Sequence, residues 1–347
     1  MGLATTTFQG SGRVLGGAVG QRFRAGIAAS LADPRIESGL AYYRSACGQR
    51  AYRRALSLHR ARVRALVDEL EGLADGASVP FEALFIRHLD AGYGAAMPEA
   101  YGGSTCALLD PQHALIGHNL DGDAGECEHS YFIRVEPGDA VPFTALCRPG
   151  VLPGSAFAFN DHGLCVAASG LSPESISEGL GWRFLARALL AARGIDAAIE
   201  QLRAQPRGAG FRCTLGARGE RRIVSVEVSA HAVRVHAIGA PHFQASHYLQ
   251  QALAQRIGDS SRARQRRGEA LLAQRAPGNA AELMAVLRDQ GDRSWPIWRD
   301  GTAPDTQVTL FCALFDLDRG SLRIYPGPTR HAANPNAPLA AAPIPSG

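Results

Sequence analysis

A hydroxyl, a thiol and a carboxylate occupy the ends of two adjacent apolar runs. Ser104 and Cys106 open the first, Gly103-Ser104-Thr105-Cys106-Ala107-Leu108-Leu109, and Asp121 closes the second, Ala114-Leu115-Ile116-Gly117-His118-Asn119-Leu120-Asp121. The intervening Asp110-Pro111-Gln112-His113 is turn-forming, so the pair reads as a β-hairpin. In antiparallel pairing the start of one strand lies beside the end of the next, which sets a nucleophile candidate next to a carboxylate. A hydroxyl or thiol so placed can attack a carbonyl once a neighbouring group activates it. Cys106 is intrinsically the better nucleophile and shares a strand face with Ser104 two residues away, but a buried small apolar role in the strand suits it better.

The elements that must position this hairpin are readable from periodicity. Residues 1–95 read mainly as helix, with small, Gly-punctuated residues over 14–25 and apolar residues at three-and-four spacing over 40–73. From Ser104 the pattern becomes short strands: 104–109, 114–120, 131–135, 143–147, 156–160 and 165–169, the last two joined at the Asn160-Asp161-His162-Gly163 turn. An amphipathic helix over 181–201 is followed by strands at 212–215, 223–228 and 233–237. Arg-rich helix over about 244–276 and a further helix over 280–288 precede closing strands at 309–316 and 321–325. Runs of strands, then helices, then strands predict a layered α+β domain rather than a doubly wound sheet.

Composition narrows the class of function. The chain has 347 residues, 46% hydrophobic and 20% charged, with net charge +4, the profile of an ordinary globular protein. No basic run is long enough for a nucleic-acid stripe, and the densest cluster, Arg262-Ala263-Arg264-Gln265-Arg266-Arg267, reads as a solvated helix face. All 36 basic residues are arginine, which excludes a lysine Schiff base and a Walker phosphate loop. This Arg-, Ala- and Gly-heavy usage fits a GC-rich bacterial genome. Seven scattered cysteines without a Cys-x-x-Cys pair argue against a disulfide framework and a structural zinc site. No signal-like N-terminus and no run near the ~20 apolar residues of a membrane helix point to a cytoplasmic protein.

Several further motifs occur in a telling order. They are Leu15-Gly16-Gly17-Ala18-Val19-Gly20, Glu69-Leu70-Glu71-Gly72-Leu73-Ala74-Asp75-Gly76, Asn160-Asp161-His162-Gly163-Leu164, the 181–190 helix with Arg187, Asp259-Ser260-Ser261-Arg262, Leu287-Arg288-Asp289 and Thr309…Asp316…Gly327-Pro328. In that order, with the hairpin, the chain resembles the isopenicillin-N/6-aminopenicillanate acyltransferase family of self-cleaving N-terminal-nucleophile (Ntn) hydrolases. The resemblance implies a four-layer αββα sandwich over residues 104–330, a helical pro-segment over 1–103, and a Pro/Ala-rich tail over 331–347 that composition marks as disordered. It implies an acyltransferase or amidohydrolase of bacterial secondary metabolism, acting through an acyl-enzyme on an amide or thioester carbonyl of a small-molecule or carrier-bound substrate. No cofactor, metal, nucleic acid or membrane is called for, and a homo-oligomer is left open.

The resemblance also assigns site residues. Members of the family cut themselves within Gly-Cys-Thr, and the freed α-amine, with a pKa near ~8, then serves as base. Here the triplet is Gly103-Ser104-Thr105. Without a gap the nucleophile position falls on Gly103, which has no side chain; with a one-residue deletion in the turn it falls on Ser104. Asp121 matches the family's orienting acid, and His118 and Asn119 are placed to contact substrate. The oxyanion donor of the family's Thr-Asn-His becomes Ser246 in Ala245-Ser246-His247, with His242 and Gln244 as candidates to compensate. The alternative is an Ntn-fold homologue that does not cleave itself, and binds a ligand or transfers acyl groups without an N-terminal nucleophile.

Overall fold

Almost every strand residue between 103 and 171 is buried, so these strands must be covered on both faces. The computed structural model, which describes residues 3–89, 102–138, 140–208, 210–329 and 334–347, shows how. Strand β1 (Thr5–Gln9) precedes six helices, α1 (Gly12–Arg22), α2 (Arg24–Ser30), α3 (Pro34–Arg44), α4 (Ala46–Arg62), α5 (Arg64–Ala77) and α6 (Phe81–His88). The hairpin follows as β2 (Gly103–Leu109) and β3 (Ala114–Gly122), then short α7 (Glu126–His129) and strands β4 (Tyr131–Glu136), β5 (Phe143–Cys147), β6 (Phe157–Asn160) and β7 (Leu164–Leu171). Helices α8 (Trp182–Ala188) and α9 (Ile195–Ala204) lead into β8 (Gly210–Ala217), β9 (Glu220–Val228), β10 (Val233–Ala237) and β11 (His242–Gln244). The chain closes with α10 (Asp259–Gln274), α11 (Ala280–Leu287), β12 (Val308–Asp316), β13 (Ser321–Pro326) and β14 (Ala340–Pro343).

The strands form two sheets, ordered β1-β4-β5-β6-β7-β8-β9-β10 and β11-β2-β3-β12-β13-β14. They face each other across Ile116, Phe311 and Phe315 on one side and Phe132, Phe157 and Phe159 on the other. Leu15, Leu70, Phe85, Phe184 and Ile199, from helices on the outside, cover the eight-stranded sheet. Leu283, Val286 and Leu287 of α11 cover the six-stranded sheet over Leu115 and Leu314. The result is the expected αββα sandwich. The helices preceding the hairpin belong to its outer layer, and two buried histidines fasten them there. His59 Nε2 accepts the Gly181 N–H at 3.0 Å and His88 Nε2 accepts the Leu152 N–H at 2.9 Å.

Several elements differ from the sequence reading. β1, inside the stretch read as helix, pairs in parallel with β4; its run of threonines is β-branched and suits a sheet edge. The single helix expected over 40–73 breaks at Ser45, which caps α4 by accepting the Gly48 N–H, and at Val63, whose φ of −140° is not helical. The helix expected over 181–201 breaks after a short 3₁₀ turn, where Asn160 Nδ2 donates to the freed carbonyls of Leu190 and Ala192. Only 259–274 of the expected 244–276 helix is helical. In place of the disorder its composition suggests, the tail supplies edge strand β14, which pairs with β13 and anchors buried Ile344. Residues 330–333 lie outside the described residues.

Candidate active site

The β2–β3 register decides which side chains meet. Ser104 pairs with Asn119, Thr105 with His118 and Gly103 with Leu120. Because side chains alternate along a strand, Ser104, Cys106, Asn119 and Asp121 point toward α10 and α11, while Thr105 and His118 point between the sheets. All of these residues are fully buried.

On the outer face one guanidinium touches three of the sequence-predicted residues. Arg264 Nη1 donates to Ser104 Oγ at 2.8 Å and lies 3.7 Å from Asp121 Oδ2, while Arg264 Nη2 donates to Ser246 Oγ at 3.4 Å. Asp121 also receives Arg299 Nη1 at 3.3 Å and the Thr309 hydroxyl at 2.9 Å. Arg299 is in turn held by Asp305, with Nε–Oδ2 2.8 Å and Nη2–Oδ1 2.5 Å. Burial pushes the Asp121 carboxyl upward, and Arg299 and Arg264 oppose it. Burial also works against the charge on Arg299, but Asp121 and Asp305 outweigh it and hold the guanidinium above its ordinary range. Two guanidiniums against two carboxylates form a buried, charge-balanced cluster, the condition under which ionised groups tolerate burial.

The carbonyl before Ser104 is singled out. Gly103 O accepts from Ser246 Oγ at 3.1 Å and from Arg212 Nη2 at 3.2 Å. Two converging donors on one carbonyl are the geometry of an oxyanion hole. Ser246 also accepts the Gly103 N–H at 3.1 Å, so its hydroxyl is pinned to that peptide. Arg212 is fully buried and reaches across from β8. It donates to the carbonyls of Ala245 and Gln244 and to Thr105 Oγ1 at 2.7 Å. Burial and the nearby Arg264 lower its pKa to about 10.

On the inner face, Thr105 Oγ1 lies 2.8 Å from His118 Nδ1. With Arg212 donating to the hydroxyl, the simplest pairing has Thr105 donating to Nδ1 and the proton of His118 on Nε2, which has no partner among the described residues. Burial and Arg212 hold His118 well below the usual imidazole range, so the ring is neutral. A side chain at residue 103 would point this way too. Its Cβ would overlap the Asn119 carbonyl and come within 2.9 Å of both His118 Cε1 and Ser169 Oγ.

The other sequence candidates are placed differently. Cys106 lies on the face of Ser104 but in the apolar cluster with Phe243 and Leu283, and burial pushes its thiol up to about 12. Asn119 Nδ2 donates to the carbonyls of Leu287 and Ile297, and its Oδ1 has no partner among the described residues. His242 stands opposite Ala107, roughly 10 Å along the strand from the level of Ser104, with its ring against His236. The Gln244 side chain is consumed by Glu227, Ser225 and the His247 carbonyl. The structure does not bring these two to Ser104.

Arg212, Arg264, Arg299 and Thr309 were not among the sequence candidates. The cluster containing Arg264 read as a solvated helix face, and the structure corrects this: Arg264 is 1% exposed. Its helix buries Ser260, Ser261, Arg264, Gln265 and Gly268, a helical stripe made of polar and small residues. Hydrophobic periodicity does not detect such a stripe.

Among the described residues no group of three or more His, Cys, Asp or Glu is arranged to hold a metal ion, and no helix is long and apolar enough to cross a membrane. The family model for acyl-coenzyme A:6-aminopenicillanic acid acyl-transferase matches residues 108–331, well over half of the chain. The chain is also similar to the β-alanyl-dopamine/carcinine hydrolase of Drosophila melanogaster, with 26% identity over 333 residues covering 85% of this chain and 84% of that protein. With the two-sheet Ntn sandwich in place, the chain belongs to the acyl-coenzyme A:6-aminopenicillanic acid acyl-transferase family and is an enzyme of acyl transfer or acyl hydrolysis.

Proposed function

We propose that the chain cleaves itself between Gly103 and Ser104 and that Ser104 then acts as an N-terminal nucleophile. The single observation that carries this reading is the Gly103 carbonyl, which receives Ser246 and Arg212 immediately before a hydroxyl contacted by Arg264. Ser104 Oγ attacks the Gly103 carbonyl carbon while Ser246 and Arg212 stabilise the developing oxyanion. The C–N bond breaks as the hydroxyl proton passes to the departing nitrogen, leaving an ester. Water hydrolyses that ester to a Gly103 carboxylate and a free Ser104 amine and hydroxyl. The amine, near its ordinary pKa of ~8, then takes the hydroxyl proton during attack on a substrate amide or thioester. The leaving amine or thiol departs with a proton, and water or a second amine resolves the acyl-serine. In this reading residues 1–103 become a separate chain that stays docked through His59 and His88.

The substrate class is a small acyl amide or thioester, in keeping with the relative that hydrolyses β-alanyl-dopamine and carcinine. The lack of disulfide bonds among the described residues and the arginine-rich composition support a reducing bacterial cytoplasm. A second reading has its own support: a guanidinium, not a neutral base, contacts Ser104 Oγ. It describes an uncut homologue. N-terminal analysis combined with turnover of β-alanyl-dopamine and an acyl-thioester tests both. The first reading expects a new N-terminus at Ser104 and acyl release, both lost in Ser104→Ala. An uncut, inactive wild-type protein would favour the second.

A further inference from the structure

A groove lies away from the hairpin, on the outer helical layer of the eight-stranded sheet. It has a volume of about 880 Å³ and is walled by Phe143, Leu185, Leu189 and Leu202. That volume is within the range of small-molecule sites. Two helices open onto it by their N-termini, α1 through Ser11–Arg13 and α5 through Val63–Leu66. The two helices run parallel and in step: Gly12 lies against Ala65 and Asp68, Gly16 against Glu69, and Gly20 against Leu73 and Ala77. A Cβ at Gly16 or Gly20 would overlap the backbone of α5, so glycine is what lets the helices approach. Neither N-terminus has a side-chain cap, and neither first turn holds an acidic residue. Parallel helices ending together add their positive ends, which favours an anion there.

Charge at the groove agrees. Arg13, Arg62, Arg64 and Arg187 line it against only Asp68 and Glu69. Arg13 is already paired with Asp75, and Arg64 lies 3.6 Å from Asp68. Arg62 makes no ion pair among the described residues. A second, independent observation comes from the groove floor. Glu69, 3% exposed, accepts from Arg187 through Oε2 at 3.0 Å, but its Oε1 has no partner among the described residues. Arg187 stacks over Phe143 at 4.2 Å, and its Nε likewise has no partner among the described residues. A buried acceptor beside a buried donor is costly unless each is paired, and the polar group of a ligand can pair both. One group that answers both is an amide, whose N–H meets Glu69 and whose C=O meets Arg187.

We propose that this groove binds an amphipathic anion: an anionic head at the paired helix N-termini, an amide at Glu69 and Arg187, and an apolar chain along the leucine wall. Glu69 lies five positions past the start of α5, about 7.5 Å along the helix axis, so a short spacer separates head from amide.

Calorimetric titration of the full chain with N-decanoyl-4-aminobutyrate tests the site. Saturable binding is expected, with decanol (no anion) and 4-aminobutyrate (no chain) each at least about tenfold weaker, or 1.4 kcal/mol. The double variant Arg62→Glu/Arg64→Glu, at exposed positions, should weaken binding at least about tenfold. Ala65→Trp, also exposed, should block the mouth without touching the core. Ser104→Ala should bind as the wild type does, which separates this groove from the proposed reaction site. No saturable heat with the probe, or binding indifferent to both mouth variants, would overturn the proposal whatever the outcome of the cleavage test.

Discussion

The two faces of the β2–β3 hairpin use the same strands for opposite purposes. The outer face gathers ionised groups, with Asp121 between Arg264 and Arg299 and Ser104 at the edge of the cluster. The inner face gathers neutral or singly charged ones, with Thr105 and His118 around Arg212, which has no carboxylate in direct contact among the described residues. The Gly103 peptide lies between them, its carbonyl taking one donor from each network. A one-residue shift of register would exchange the faces and place Thr105 among the arginines. The comparison teaches that the reacting bond is defined by where two networks meet, rather than by any one side chain.

The strongest way to break that comparison is to unbalance one face. Asp121→Ala leaves Arg264 and Arg299 short of a buried counterion and should cost about 3–5 kcal/mol in urea denaturation. His118→Phe on the other face removes one partner from Thr105, which keeps Arg212, and should cost only about 1–2 kcal/mol. Equal losses would mean the faces are not electrostatically distinct. Next comes the bridge itself. Ser246→Ala removes one donor from the Gly103 carbonyl and should slow cleavage on the order of 100-fold, about 3 kcal/mol of barrier, as followed by the rate at which the intact chain disappears.

A pH titration sharpens the contrast between hairpin and docked helices. Burial holds His59 at about 4 and His88 at about 3. Both folded values lie below the unfolded value near ~6.5, so the unfolded chain takes up protons first. The stability these rings confer is therefore complete above pH ~6.5 and drains as pH falls below it, by at most about 1.4 kcal/mol per pH unit for each ring. Protonation at Nε2 would remove the acceptors for Gly181 and Leu152. Denaturation midpoints measured between pH 7 and 5 should fall less steeply in His59→Gln. The smallest effect belongs to Cys106, whose replacement by alanine should cost about 1 kcal/mol. Its thiol should resist alkylation until the protein unfolds.

Much of this fold was readable because its strands are apolar on both faces and its turns carry Asp-Pro, Asn and Gly. Asp121 was readable for the same reason: a hairpin puts its ends together whatever the side chains. The arginines that surround it were not, because Arg264 sits on a buried stripe of polar residues and Arg212 in the middle of a strand, where neither period nor hydropathy marks them. His242 and Gln244 were misjudged because the three-residue β11 sets its own alternation by pairing with β2, which no local pattern reveals. The tail's small residues suggested disorder, yet an edge strand needs backbone pairing more than side-chain bulk.

The most direct measurement is the intact mass of the purified protein under denaturing conditions, for the wild type and for Ser104→Ala and Cys106→Ala. The account predicts two chains, 1–103 and 104–347, in the wild type and in Cys106→Ala, and one uncut chain in Ser104→Ala. A single uncut chain in the wild type, or cleavage that persists in Ser104→Ala and vanishes in Cys106→Ala, would contradict it.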